Sequence, residues 1–264
     1  MFEKRIELGG NFKLNVFYRV CDKVECTSVA KRHFGQTKKG LIAKCLERIK
    51  ENVLNLDDRI KLSAYVVSNN CSPETVERVK ETFSTVDSEI KIMPELNNPA
   101  TFLECVRKCC EIADGNEMVY FLEDDYTFLR DDVLNRLVFS LDFLRKKNSA
   151  YVGIMPDDYP DRYENGTAKN KNVVVGESGH FLEVDKSTLT FATFAGAVRE
   201  NAELLYNHRF WPRVNEDQSV NLMWKKVRLY QPLPAWTVHT QYDFLVPKYL
   251  DTEEMKKHFE EKQQ

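Results

Sequence analysis

A run of apolar residues that ends in three consecutive acids constrains this chain more than any other stretch. Residues 118–122 read Met-Val-Tyr-Phe-Leu, and Glu123, Asp124 and Asp125 follow directly. A short continuous apolar run predicts a β-strand buried on both faces. Buried carboxylates need a neutralising partner, and a divalent cation takes oxygen ligands. The stretch therefore predicts a Mg²⁺ or Mn²⁺ site where the strand ends. The alternative is a solvated acidic turn before the next helix.

Strands and amphipathic helices alternate on both sides of this run. Strands are predicted at 14–20, 60–68, 89–93 and 151–155, and helices at 38–54, 73–83, 101–113 and 133–147. This order predicts an α/β fold with a doubly wound, mostly parallel sheet. In such sheets, ligands bind at the carboxyl ends of the strands, which is where the acid triplet lies.

The second half of the chain predicts shorter and more mixed elements. They are a polar loop at 164–172, a strand at 189–195, short helices at 201–207 and 217–226, extended segments at 227–234 and 236–239, and a charged helix at 251–264. We interpret the chain as one domain. Residues 14–165 would form a nucleotide-binding half, and residues 166–250 a smaller acceptor-side half.

Composition excludes several classes of protein. The net charge of −3 argues against nucleic acid as the main partner. No run approaches the ~20 apolar residues that cross a bilayer, the N-terminus lacks a signal-peptide core, and the seven cysteines show no CxxC pair. These features predict a cytoplasmic protein, bacterial or viral in a host cytosol. No glycine-rich phosphate loop follows the first strand, so a metal and basic side chains would have to hold phosphates.

The acid triplet at the end of the fourth strand resembles the metal-binding DxD motif of GT-A glycosyltransferases, in its Glu-Asp-Asp form. The resemblance extends to Glu216-Asp217-Gln218 and Thr237-Val238-His239-Thr240 and covers roughly residues 14–250. It implies a GT-A-like fold, a nucleotide-diphospho-sugar donor such as a UDP- or GDP-sugar, and a hydroxyl of a glycan or other acceptor. The chain departs from the family at Asn69-Asn70, where many members have a base-binding Asp.

The resemblance assigns a role to each residue around the triplet. Asp125 would bind the metal, and Glu123 and Asp124 would contact ribose hydroxyls or metal-bound water. His239 would be a further metal ligand, or else a structural histidine at a strand end. The remaining donor-binding candidates are basic or amide side chains near strand and helix ends: Arg19, Lys38, Lys39 and Asn69. The lysines fit a solvated basic face nearly as well.

Asp217 is the candidate general base of an inverting transfer. A carboxylate is needed to take the proton of the acceptor hydroxyl, and repulsion from Glu216 is expected to raise one pKa of the pair. The alternative is a plain helix N-cap. Weaker candidates for sugar or acceptor contacts are Asp157, Asp158, Tyr159, Tyr163, His180, Glu183, Trp211 and Trp236.

Three functions fit the sequence. The first is a metal-dependent, inverting glycosyltransferase. The second is a nucleotidyltransferase that makes the activated sugar, which the absence of glycine in residues 18–22 disfavours. The third is a non-catalytic carbohydrate-binding module on the same fold.

Overall fold

A computed structural model describes residues 11–23, 37–93, 98–112, 114–164, 171–240 and 245–251. The predicted C-terminal helix and most of the predicted polar loop lie outside these ranges. The strands are β1 (Phe12–Val20), β2 (Ile60–Asn69), β3 (Asp87–Met93), β4 (Met118–Glu123), β5 (Tyr126–Phe128), β6 (Val152–Ile154), β7 (Val173–Gly176), β8 (Gly179–Val184), β9 (Phe191–Phe194), β10 (Arg228–Leu233) and β11 (Thr237–His239). The helices are α1 (Lys38–Leu54), α2 (Pro73–Thr82), α3 (Asn98–Cys110), α4 (Val133–Asn148), α5 (Asp161–Glu164), α6 (Ala195–Glu200), α7 (Ala202–Tyr206) and α8 (Val220–Met223), with 3-10 turns at Asn207–Phe210 and Glu216–Gln218.

The mostly parallel sheet is confirmed. Nine strands lie in the order β3-β2-β1-β4-β9-β6-β10-β8-β7. Strands β3, β2, β1 and β4 are parallel, β9 runs antiparallel between β4 and β6, and β10 is parallel to β6. The carboxyl ends of β1, β2, β4, β6 and β10 therefore meet at one edge of the sheet. We call this the carboxyl edge.

The strands at the centre of the sheet are apolar on both faces because helices cover both sides. One face carries stacked rings, with Phe121 of β4 lying 5.2 Å from Phe17 of β1 and 4.9 Å from Phe191 of β9 between ring centroids. All three rings are buried. This packing fixes β4 between its neighbours and hence fixes where the acids emerge.

Two helices begin at the carboxyl edge with side-chain caps. Ser72 caps α2, as its position before Pro73 predicts, and its hydroxyl accepts a bond from the Thr75 amide at 3.4 Å. Thr37 caps α1 by accepting from the Gly40 amide at 3.1 Å, which places Lys38 at the start of that helix. The predicted span of α1 is confirmed.

Strands β5, β7 and β8 were not predicted from the pattern. Strand β5 follows the acids directly and pairs with β11 in a separate two-stranded sheet, in which His239 lies opposite Tyr126. This small sheet brings His239, which is more than a hundred residues later in the sequence, to the acid triplet. No helix among the described ranges has the length and apolarity needed to cross a membrane.

Candidate active site

The three acids lie where β4 leaves the sheet, and each has a protein cation near it. Glu123 is 2.7 Å from the Nη2 atom of buried Arg19. Asp124 and Asp125 share Lys38, whose Nζ is 2.5 Å from the Asp124 carboxylate and 3.5 Å from that of Asp125. Arg19 and Lys38 therefore supply part of the charge that compensates the triplet, in addition to any divalent ion.

Hydrogen bonds from backbone and hydroxyl groups hold the acids in place. The Cys21 amide donates to Asp124 at 2.7 Å, and the Thr190 hydroxyl lies 3.3 Å from Glu123. The Asp125 carbonyl accepts from both the amide and the hydroxyl of Thr240, at 2.8 and 2.7 Å. The triplet is thus a fixed arrangement and not an exposed turn. Asp124 and Asp125 are 6 % and 9 % exposed, which excludes the solvated alternative.

His239 faces Asp125. Its Nε2 atom lies 3.5 Å from the carboxylate, and its ring stacks on Tyr126 at 4.5 Å between centroids. Its Nδ1 atom is 3.0 Å from the Tyr159 hydroxyl, which in turn is 2.6 Å from the Tyr126 hydroxyl. These partners orient the imidazole so that Nε2 faces Asp125.

The pKa values in this cluster follow from burial and from the pairing of charges. Burial raises the pKa of Glu123 and of Asp124, against the charges of Arg19 and Lys38 respectively. Burial also acts to raise the pKa of Asp125, but Lys38 and His239 outweigh it and lower that pKa. Asp125 is therefore the acid most firmly held as a carboxylate.

Asp125 and His239 fit a divalent cation as a two-residue site. Their 3.5 Å separation is close to the ~3 Å between adjacent ligands in an octahedron with bonds of about 2.1 Å. Carboxylate oxygen and imidazole nitrogen suit Mn²⁺. Within the described residues, no three His, Cys, Asp or Glu side chains are arranged to hold a metal ion. The other ligand positions would therefore fall to phosphate oxygens and water.

Arg19 and Asn69 lie at the ends of β1 and β2, on the side of the acids where the resemblance places the nucleoside. The Arg19 Nη1 atom donates to the Asn98 side-chain oxygen at 2.8 Å. Asn69 is 5 % exposed, and its side-chain oxygen has no hydrogen-bond partner among the described residues. A buried amide oxygen without a donor is unusual, and a ligand's N–H group would satisfy it.

Asp217 lies on the wall of a cavity of about 550 Å³ at the carboxyl edge. Tyr159, the residue bonded to His239, lines the same cavity. Lys186 contacts Asp217 at 3.0 Å, Asn221 donates to it at 2.9 Å, and its side chain is 52 % exposed. The Lys186 hydrogen bond lowers the pKa of Asp217, which is opposite to the rise expected from a Glu-Asp pair. The plain N-cap reading has no support, because the cap of this turn is Asn215.

Four of the weaker candidates lie in three kinds of surroundings. Trp236 is 3 % exposed and packs edge-on against Phe181, so it belongs to the core. Trp211 is 48 % exposed. Two others lie on β8: His180 is exposed, and Glu183 accepts a bond from Asn172 at 3.0 Å.

Two residues of the site went unpredicted, Tyr126 and Thr188. The Tyr126 hydroxyl lies 2.8 Å from that of Thr188, which lines the cavity, so hydroxyl contacts run from His239 through Tyr159 and Tyr126 to the cavity wall. The residues that follow the acids, Tyr126-Thr127-Phe128, favour β-structure and could have predicted β5. Nothing in the sequence indicates Thr188.

The sheet order and the acids at the end of β4 define a fold of the GT-A type, and solved structures agree. Crystal structures of Staphylococcus aureus TarS 1–349 match with a TM-score of 0.51 and 11 % identity over 86 % of this chain. The complexes of that protein with UDP and UDP-GlcNAc match with TM-scores of 0.51 and 0.50, each at 10 % identity. This chain spans about 60 % of the TarS 1–349 chain. No protein-family model and no curated protein sequence matches the chain.

Proposed function

We propose that the chain is a glycosyltransferase that moves a sugar from a nucleotide-diphospho-sugar to a hydroxyl acceptor, with Mn²⁺ or Mg²⁺ as cofactor and with inversion at the anomeric carbon. One observation carries the proposal. Three fixed acids and His239 meet at the carboxyl edge of a GT-A-type sheet, beside a cavity lined by a further, accessible carboxylate, that of Asp217. UDP is the first nucleotide to test, since TarS was crystallised with UDP and UDP-GlcNAc.

The donor would lie along the carboxyl edge. Arg19 and Asn69 would contact the nucleoside, Glu123 and Asp124 the ribose hydroxyls or metal-bound water, and Lys38 the diphosphate. Asp125 and His239 would hold the cation, which when bound neutralises charge on the departing diphosphate. Lys38 already spans Asp124 and Asp125, so it can contact an incoming phosphate through a small change of its flexible side chain.

Asp217 would take the proton of the acceptor hydroxyl as that oxygen attacks the anomeric carbon. The new glycosidic bond forms while the bond from sugar to phosphate oxygen breaks, and its electron pair leaves with the nucleoside diphosphate. The lowered pKa keeps Asp217 ionised at neutral pH, so it is ready to accept a proton. Lys186 then stabilises the ionised base at the cost of some basicity.

A donor screen tests the proposal. The protein is incubated with UDP-, GDP- and dTDP-sugars, with and without Mn²⁺, and the released nucleotide is measured. We expect nucleoside diphosphate release with one donor class, dependent on the metal, and an inverted product anomer by NMR. Formation of pyrophosphate from a nucleoside triphosphate and a sugar phosphate would instead identify a nucleotidyltransferase. A melting temperature that no nucleotide raises with metal present would favour the non-catalytic module.

A further inference from the structure

Three polar groups surround the hydroxyl of Tyr159, a buried residue that follows β6. The Nδ1 atom of His239 lies 3.0 Å from the hydroxyl oxygen, and the Tyr126 hydroxyl lies 2.6 Å from it. The carboxylate of Asp157 is the third hydrogen-bond partner. A phenol has one proton to donate and two lone pairs that accept, so these three partners use its whole capacity.

The Asp157 carboxylate decides the direction of these bonds. It is ionised at neutral pH, although burial raises its pKa to about 6. An ionised carboxylate only accepts hydrogen bonds, so Tyr159 donates its proton to Asp157. The Tyr159 oxygen then accepts from its other two partners, the Tyr126 hydroxyl and the Nδ1 atom of His239. Nδ1 must therefore carry a proton.

The same order of donors continues to the cavity wall. Because the Tyr126 proton is directed to Tyr159, the Tyr126 oxygen accepts from the Thr188 hydroxyl at 2.8 Å. The Thr188 oxygen in turn accepts from the backbone amide of Thr190 at 3.2 Å. A backbone amide can only donate and an ionised carboxylate can only accept. The row of hydroxyls is thus fixed in one direction at both ends, by the Thr190 amide and by Asp157.

Ring packing holds the imidazole of His239 in the orientation that this row requires. Its ring stacks on that of Tyr126 with 4.5 Å between centroids and 11° between planes. The Tyr159 ring meets it edge-on, with 6.1 Å between centroids and 81° between planes. Nδ1 therefore lies toward the Tyr159 hydroxyl, while Nε2 lies 3.5 Å from the Asp125 carboxylate.

We propose that Tyr159 is a positioning residue of the cation site: its oxygen accepts from Nδ1–H of His239 and so leaves Nε2 as the nitrogen that binds the ion. The inference rests on the proposed function, because it needs that ion. An imidazole binds a metal through an unprotonated nitrogen, and its other nitrogen then carries the proton. A hydroxyl whose proton is held by Asp157 stabilises this form. A freely rotating hydroxyl would also donate to Nδ1 and stabilise the other tautomer.

Manganese binding tests this role without turnover. Free Mn²⁺ is measured by electron paramagnetic resonance during titration of the full chain with UDP present. We expect Tyr159→Phe to weaken Mn²⁺ binding about 10- to 100-fold, the usual effect of removing a group that orients a metal ligand. The matched control is Tyr230→Phe, which also removes the hydroxyl of a buried tyrosine, one that donates to Asn148 at 3.2 Å. It should change the affinity less than about twofold.

Nitrogen-15 NMR of the histidine rings identifies the protonated nitrogen in the wild type itself, so this test does not depend on the folding of a variant. The chain has five histidines, and the signals of His239 are those that His239→Gln lacks. With UDP and Mg²⁺ present, we expect a proton on Nδ1 of His239 and none on Nε2. The Nδ1 proton should exchange with water faster in Tyr159→Phe and at the wild-type rate in Tyr230→Phe.

The outcomes separate the inference from the function on which it rests. Mn²⁺ binding by the wild type together with unchanged affinity in Tyr159→Phe overturns the role of Tyr159 and leaves the glycosyltransferase proposal intact. A wild-type His239 that carries its proton on Nε2 with UDP and Mg²⁺ present overturns it as well. Absence of Mn²⁺ binding by the wild type overturns the cation site itself, and the role of Tyr159 with it.

Discussion

Replacing Asp157 by Asn should stabilise the protein at neutral pH, although Asp157 is one of its most completely buried acids. Burial raises the pKa of Asp157 to about 6 from its ordinary value of 3.8, because the charge of Arg162 and the hydrogen bonds to the carboxylate offset only part of the lost hydration. The charged form is therefore disfavoured in the folded state relative to the unfolded chain. Asn has nearly the same shape and carries no charge.

The magnitude follows from the difference between the two pKa values. Because the folded state holds the Asp157 proton more tightly, stability falls as the pH rises from about 4 to about 6 and is then level. A shift of about two pKa units corresponds to about 3 kcal/mol at pH 7. The Asn variant lacks this loss, so relative to the wild type it should gain up to about 3 kcal/mol between pH 4 and pH 7.

Urea unfolding of both proteins, without metal, measures this difference at pH 4, 5, 6 and 7. The neighbouring Asp158→Asn variant is the control and should be destabilised by about 1–3 kcal/mol, because it disrupts bonds from Gln231, Tyr163 and Tyr249. A difference between Asp157→Asn and the wild type that does not change with pH would refute the claim that burial raises the pKa of Asp157.

Other variants test the remaining parts of the site. Asp217→Asn should reduce turnover at least ~100-fold while donor affinity in calorimetry stays unchanged; near-normal turnover would remove Asp217 as the base. Lys186→Ala should move the acid limb of the rate–pH profile to higher pH, since Lys186 lowers the pKa of Asp217, and a fixed limb would contradict this. Asn69→Ala should weaken nucleotide binding and change base preference in competition assays with little change in melting temperature, because its side-chain oxygen lacks a protein partner. Gly153→Ala should cost about 1–3 kcal/mol in urea unfolding, since an added Cβ would lie 2.5 Å from the Trp224 ring.

The first half of the fold was predictable because its local signals agree with one another. One local signal specifies each element: the apolar stripe for α1, the Ser72-Pro73 cap for α2 and the uninterrupted apolar residues for β4. Because the strands are parallel, their carboxyl ends then lie at one edge of the sheet. The position of the acid triplet followed from these signals without knowledge of the tertiary contacts.

The second half was less predictable because long-range pairing decides it. The residues of β9 are those of a buried strand, but the local sequence does not indicate that β9 lies antiparallel between β4 and β6. Strand β5 has three residues and exists because β11, more than a hundred residues later, pairs with it. The alignment of His239 with Asp125 depends on that pairing.

Partners that are distant in sequence also decided the electrostatics of the site. The sequence predicted contacts of Lys38 and Arg19 with the diphosphate or base, but it did not predict their ion pairs with Asp124 and Glu123. The pKa of Asp217 was expected to respond to its neighbour in sequence, but Lys186 has the larger effect. Charge pairing of this kind depends on distances that a sequence does not contain.

Calorimetric titration with UDP, with and without Mn²⁺, measures most directly whether the acids at the end of β4 hold a nucleoside diphosphate through a cation. The wild type should bind UDP at least tenfold more tightly with Mn²⁺ than without it, and Asp125→Asn should abolish that difference. Equal UDP affinity with and without Mn²⁺, or a metal effect that survives in Asp125→Asn, would contradict a cation site at this edge.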